Sequence, residues 1–233
     1  VKLTVVGCSP SWPNPGSAHS GYLLEDDGKK LLVDCGPGVL PRLREAEGWP
    51  HVEAIVITHF HLDHCGDLVA WLWGHLSGPL RGRPGPDLWL PPGGRGDLAQ
   101  LAPRFDEVFT AQEYAEDEPF AVTGFTVTPQ AVAHYDQPTF GLRVEAGAKT
   151  VAFSADSGPT PALVELARDS DLFLCEATLG EPEGELRGHL EAREAAAIAL
   201  QANAKRMLLV HRPSELPAPD GMEVAYDGLE IRL

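Results

Sequence analysis

The segment Ile55-Val56-Ile57-Thr58-His59-Phe60-His61-Leu62-Asp63-His64-Cys65-Gly66 sets three histidines and an aspartate within six positions, where an apolar strand pattern gives way to a helical one. Imidazole nitrogen suits zinc and related transition metals, and a carboxylate adds a harder oxygen donor. A strand-to-helix turn can swing all four side chains toward one point. An isolated H-x-H would say little, because single histidines are more often packed or solvated than bound to metal. The complete H-x-H-x-D-H at a strand end is far more restrictive, and it reads as a metal-binding turn rather than as a run of side chains in solvent.

Four ligands cannot close two coordination shells, so a second ion needs donors from later in the chain. Candidates stand at the ends of later strand patterns: His134 after residues 125–133, Asp156 after 151–155 and His211 after 207–210. Taken singly, each is more often a packed or surface residue than a ligand. Their shared placement changes that judgement, because strand ends gather functional side chains along one edge of α/β sheets.

The rest of the chain supplies the sheets that such an edge requires. Residues 2–6, 21–25, 30–34 and 53–58 read as strands, and 38–47 and 66–76 have helical spacing. Asp67 suits the positive end of the second helix. A Gly- and Pro-rich stretch over 77–96 reads as a loop around one short strand at 87–90, and 113–118 as an acidic surface segment. Strands resume at 124–133, 139–145 and 150–154, followed by a helix near 160–169 and a strand at 172–175. The clearest helix, 190–202, is rich in strong helix formers and leads into a buried strand at 206–210. The end, 223–233, has the pattern of a hairpin turning at Asp227-Gly228. Strands interleaved with helices in two similar halves indicate an α/β fold of two packed sheets with helices outside, in a single domain over residues 1–233.

Composition narrows the partners. The net charge of -16 repels nucleic acid and anionic membranes over most of the surface. A polyanionic substrate would need local positive charge, which divalent cations would supply. No segment approaches the ~20 apolar residues that cross a bilayer. The first residues enter a strand pattern without the basic start, apolar block and cleavage site of an export signal, so the expectation is a cytoplasmic protein. Cys8, Cys35, Cys65 and Cys175 form no C-x-x-C pair and read as reduced, buried thiols.

On the cluster from His59 to His64 together with His134, Asp156 and His211, the chain resembles the metallo-β-lactamase superfamily over nearly its whole length. Gly188-His189 ahead of the last helix, and Leu208-Leu209-Val210-His211 after it, resemble the ribonuclease Z-like branch. The resemblance implies a four-layer αββα sandwich of two mixed sheets with outer helices. It implies one divalent ion at His59, His61 and His134 and another at Asp63, His64 and His211, with Asp156 between them. Zn²⁺ suits this histidine-rich set, with Mn²⁺, Fe²⁺ and Co²⁺ as alternatives. The run Leu32-Val33-Asp34-Cys35-Gly36 resembles the family's strand and turn before the metal loop, where Asp34 would orient the loop by hydrogen bonds rather than touch metal. By the same resemblance Asp63 and His189 are the catalytic candidates: Asp63 binds metal and orients water, and His189 donates a proton or hydrogen bond to phosphate. Glu176 is the candidate partner of His189.

These implications describe a two-metal hydrolase. A small or cyclic nucleotide-like phosphodiester is the first expectation, and the leucine in His61-Leu62-Asp63-His64 resembles class II cyclic-nucleotide phosphodiesterases. Transfer-RNA 3′ processing is an alternative, disfavoured by the acidic surface and by the lack of a long basic insertion. Thioester or lactone hydrolysis is another, and a non-catalytic metal-binding partner protein is a third, disfavoured by the complete ligand set. The branch also implies a homodimer. His51 and His75 read as surface or packing residues and Trp71 and Trp73 as core or interface residues, while the loop holding His19 resembles one that approaches the metal site.

Overall fold

A computed structural model of the chain describes residues 1–181, 184, 187–217 and 219–233. The strands are β1 (Lys2–Gly7), β2 (Gly21–Asp26), β3 (Lys29–Val33), β4 (Ala54–Val56), β5 (Asp87–Leu90), β6 (Ala111–Glu113), β7 (Phe120–Val122), β8 (Phe125–Val132), β9 (Thr139–Ala146), β10 (Lys149–Phe153), β11 (Leu172–Glu176), β12 (Met207–Val210) and β13 (Glu230–Arg232). The α-helices are α1 (Val39–Glu47), α2 (Leu62–Cys65), α3 (Leu68–Leu76), α4 (Gly94–Leu101), α5 (Ala162–Ala167) and α6 (Ala192–Gln201). One sheet runs β13-β1-β2-β3-β4-β5-β6 and the other β12-β11-β10-β9-β8-β7. The halves repeat one plan. β1, β2 and β3 form an antiparallel meander extended by parallel β4, β5 and β6; β8, β9 and β10 form another, extended by parallel β11 and β12.

Alternation along the strands explains the layers. In β3, Leu31 and Val33 enter the core between the sheets while Leu32 faces the outer helices. In β11, Leu172 and Leu174 point inward while Phe173 and Cys175 meet α5 and α6. Strands covered on both faces must be apolar at successive positions, which is why these segments read as continuous hydrophobic runs. The inner core joins Leu3, Leu24 and Val56 to Phe125, Leu142 and Phe153. Outer cores set Leu40, Leu68 and Trp71 against Ile55 and Leu88, and Leu163, Leu166 and Ala195 against Phe173 and Leu209. The result is the expected α/β sandwich of two mixed sheets with helices outside.

Asp67 stands at the N-cap position of α3, at the positive end of the helix as expected, and its carboxylate also accepts the Leu40 amide at 2.8 Å, at the start of α1. Two local expectations are corrected. A glycine N-cap, Gly93 at φ 84°, starts α4, where the glycines suggested only loop. The C-terminal segment is not a hairpin: Val224 bridges Leu209 in one sheet, the chain turns at Asp227-Gly228, and β13 pairs with β1 in the other. Asp227 instead accepts the Ala18 amide at 2.7 Å and pairs with Arg42 at 3.0 Å, so this turn is fastened to the N-terminal half. Among the described residues no helix is long and apolar enough to cross a membrane.

Candidate metal centre

The C-terminal ends of β3, β4, β8, β10, β11 and β12 share one edge of the sandwich, and the sequence-predicted ligands follow them. β8 reaches this edge because it is antiparallel to β9, which is antiparallel to β10. The edge is backbone-strained. Asp34, Tyr135, Ala155 and His211 have φ of 61°, 45°, 53° and 51°. Left-handed geometry costs about 1–2 kcal/mol for a residue with a Cβ, although aspartate tolerates it better. Surrounding packing must hold these turns, and each lies at or beside a side chain of the centre.

All seven predicted ligands come together. Donor atoms of His59, His61, His134 and Asp156 form one group, and those of Asp63, His64, Asp156 and His211 a second, each within 4.8 Å. Asp156 is divided between them. Its Oδ2 lies 3.8 Å from both His59 Nε2 and His134 Nε2, and its Oδ1 lies 3.2 Å from His64 Nε2 and 3.5 Å from His211 Nε2. His61 Nδ1 stands 3.2 Å from His59 Nε2 and 3.0 Å from His134 Nε2, and Asp63 Oδ2 is 3.1 Å from His211 Nε2. Donors about 2.0–2.1 Å from a tetrahedral ion lie roughly 3.3 Å apart, so these separations match two adjoining coordination shells.

Neighbouring groups decide which ring nitrogens face inward. His64 Nδ1 lies 2.7 Å from Asp34 Oδ2, while Asp34 also receives the Thr58 amide at 2.8 Å and its hydroxyl at 2.9 Å. His134 Nδ1 donates to the Gly188 carbonyl at 2.8 Å. The Thr178 hydroxyl donates to the His211 carbonyl, which leaves its oxygen to accept from His211 Nδ1 at 2.9 Å. Thr58 serves His59 in the same way at 3.1 Å. Each arrangement directs an Nε2 lone pair into the centre. Sequence reading placed Asp34 correctly but missed Thr58, Thr178 and the Gly188 carbonyl, since a hydroxyl or backbone oxygen next to a ligand carries no pattern of its own.

The donor set fits divalent cations. His59 and His134 aim lone pairs at the same point as His61, whose single ring proton can satisfy only one of them. His64 Nε2 and Asp156 Oδ1 are buried and make no hydrogen bond of acceptable geometry. Burial works against the charged forms of Asp156 and Asp63, but His211 and His64 hold both carboxyls well below their ordinary range. Burial also lowers the pKa of His59, His61 and His134, keeping those rings neutral and able to coordinate. At His64 burial is overcome by the Asp156 and Asp34 carboxylates, which raise its pKa. That pocket demands positive charge.

Two loops brace the cluster from behind. The Ser20 amide donates to the Asp63 carbonyl at 3.2 Å and the Cys35 amide to the His64 carbonyl at 2.7 Å. Gly36 is required here, because a Cβ would fall 2.0 Å from the Asp63 carbonyl oxygen. His19 lies in the first loop, with Nδ1 2.8 Å from the Pro10 carbonyl, so its part in the structure is to fasten that loop. His75 and Trp71 are packed, whereas His51 and Trp73 are exposed. All four cysteines are free and buried; burial, followed by the charges of Asp34 and Asp63, pushes Cys65 up to about 12.

His189 stands at the edge of the cluster, its ring 4.9 Å from that of His134 and 5.8 Å from that of His211. Glu176 holds it, with Oε1 2.8 Å from His189 Nδ1. Glu176 is itself fixed by the Ser157 and Thr178 amides at 2.9 and 3.0 Å. Burial lowers the pKa of His189, but Glu176 outweighs it and the net shift is upward. A groove of about 340 Å³ beside the metal loop is lined by Phe60, Leu62, Leu101 and Gln137. Larger clefts of about 450 and 560 Å³ share no residue with the cluster, so volume does not locate the chemistry.

Two layered mixed sheets that converge on a histidine and carboxylate cluster define a metallo-hydrolase of the metallo-β-lactamase fold. Residues 29–212 match the family described as Beta-lactamase superfamily domain. The chain belongs to the metallo-β-lactamase superfamily and, within it, to the ribonuclease Z-like branch. It is 37% identical over 231 residues to the Mycobacterium tuberculosis protein Rv1339, covering 91% of this chain and 81% of that one. It is 30% identical over 269 residues to the ribonuclease Z of Kineococcus radiotolerans, covering 93% and 84%. The crystal structure of the metallo-β-lactamase fold protein YhfI from Bacillus subtilis superposes with a TM-score of 0.88 at 25% identity, over 99% of both chains. A diphosphatase from the PhnP family shares the fold, with a TM-score of 0.79 at 22% identity over 100% of this chain and 97% of that one.

Proposed function

We propose that the protein is a binuclear metal-dependent phosphodiesterase acting on a small or cyclic nucleotide-like phosphodiester. The observation that carries this reading is His189, held by Glu176 beside the seven-residue donor set. With Nδ1 engaged, Nε2 is the nitrogen left to donate to the leaving oxygen. The upward pKa shift keeps that proton available nearer neutrality than in a free histidine. His59, His61, His134 and Asp156 would hold one ion, and Asp63, His64, His211 and Asp156 the other. Such a pair would supply activated water and positive charge against the phosphoryl oxygens. Asp63 orients the attacking water through its carboxylate, and Asp156 keeps the two donor groups in register.

Relatives named as a ribonuclease and a diphosphatase support chemistry at phosphorus. The net charge of -16 favours a small substrate over a long polyanion. Elemental analysis of protein purified without added metal, paired with hydrolysis of cyclic nucleotides and a chromogenic phosphodiester, tests the proposal. The expected result is two ions per chain and diester cleavage. Full metal occupancy with activity on a lactone and none on any phosphodiester would overturn it, and saturable cleavage of precursor tRNA would replace the small substrate with RNA.

A further inference from the structure

Tyr135 follows His134 directly and is 67% exposed. Its φ of 45° is uncommon for a bulky residue, so the turn bears strain while presenting this ring outward. The ring centroid lies 5.1 Å from that of His134 and 5.8 Å from that of His189. Its seat is the backbone of Gly188, where a Cβ would fall 2.4 Å from Tyr135 Cε2. Gly188 also accepts the hydrogen bond that orients His134. The same peptide therefore positions a ring of the cluster, carries His189 as the next residue and leaves room for Tyr135.

We propose that Tyr135 is a specificity-determining residue, a stacking platform for a flat aromatic group, a nucleobase, carried by the ester group on the His189 side of the centre. The inference rests on the phosphodiesterase reading, because it is His189 that marks the ester side. A donor to the leaving oxygen must lie beside the group attached to that oxygen, and Tyr135 is the exposed aromatic ring against His189 among the described residues. Arg187, the cation next to Gly188, is engaged by Glu194 and by the Gly184 and His189 carbonyls, so recognition beyond the phosphate falls to a neutral surface. A π-face serves this purpose for any base, and stacking contributes a factor of about ten or more in affinity.

Calorimetry on the metal-loaded protein with 5′-AMP and ribose 5-phosphate as probes separates base from phosphate recognition. The wild type should bind 5′-AMP about tenfold tighter. Tyr135→Phe should keep this preference, and Tyr135→Ala should abolish it while binding ribose 5-phosphate as the wild type does. A wild type that binds both probes equally, a Tyr135→Ala variant that still prefers 5′-AMP, or a Tyr135→Phe variant that loses the preference would overturn the platform. The Tyr135-dependent preference in a protein that cleaves no phosphodiester would leave the platform standing and sink the proposed reaction. Diester cleavage without that preference would do the reverse.

Discussion

Asp34 Oδ2 lies 2.7 Å from His64 Nδ1, so a residue at the end of β3 decides which nitrogen of His64 faces Asp156. The link crosses from the first meander to the metal loop and is reinforced by Thr58, whose amide and hydroxyl both donate to Asp34. Asp34 thus joins strand packing to ligand geometry. Its left-handed backbone, φ 61°, is strain that places the carboxylate under the loop.

Asp34→Ala is expected to weaken metal binding at the His64 group by about 10–100-fold, the usual effect of removing a carboxylate that orients a ligand histidine. Competition with a chelator of known affinity measures it. Unchanged affinity would show that packing alone orients His64.

His61→Ala should remove activity and one ion, because His61 Nδ1 faces His59 and His134 but is not part of the group around Asp63. Asp156→Ala should lower occupancy of both groups, since each of its oxygens faces a different one. Elemental analysis of the two variants distinguishes these outcomes. Equal metal loss in both would contradict the division of donors.

His189→Ala should lower turnover by about 10²–10⁴-fold while metal content stays at the wild-type level. Glu176→Gln should lower it less, because the His189 ring remains while its charged partner does not. Elemental analysis beside the rate assay is decisive: an ion lost from His189→Ala would assign this histidine to coordination.

Much of this architecture was legible because burial on both faces writes strands as apolar runs, and because His59, His61, Asp63 and His64 share one turn. His134, Asp156 and His211 were recognisable only by their strand-end positions together with the resemblance to the metallo-β-lactamase superfamily. Elements that depend on distant partners were not. β6 is three residues, Ala111-Gln112-Glu113, held by its pairing with β5, and its own pattern is polar. β13 pairs Ile231 with Leu3 across nearly the whole chain, so local turn chemistry at Asp227-Gly228 suggested a hairpin that tertiary pairing overrides. Glu176 could be named but not placed, since its contact with His189 arises only when the β11 end and the segment before α6 meet at the sheet edge.

Far from the centre, Asp171 gives a prediction about acid stability. Its carboxylate receives Lys205 Nζ at 2.9 Å, the Thr150 amide at 2.9 Å and Lys149 Nζ at 3.5 Å, tying the start of β11 to β10. The Lys205 hydrogen bond is the largest influence, and it lowers the Asp171 pKa against the opposing effect of burial. A carboxyl depressed in the folded state stabilises the fold fully above its unfolded pKa of about 3.9, and the contribution disappears as pH falls through the lower folded value. Asp171→Asn should therefore be less stable than wild type at pH values near 7, with the difference shrinking below about pH 4. Urea unfolding midpoints measured across that range test the sign, and two parallel pH profiles would show that the ion pair adds nothing to the fold.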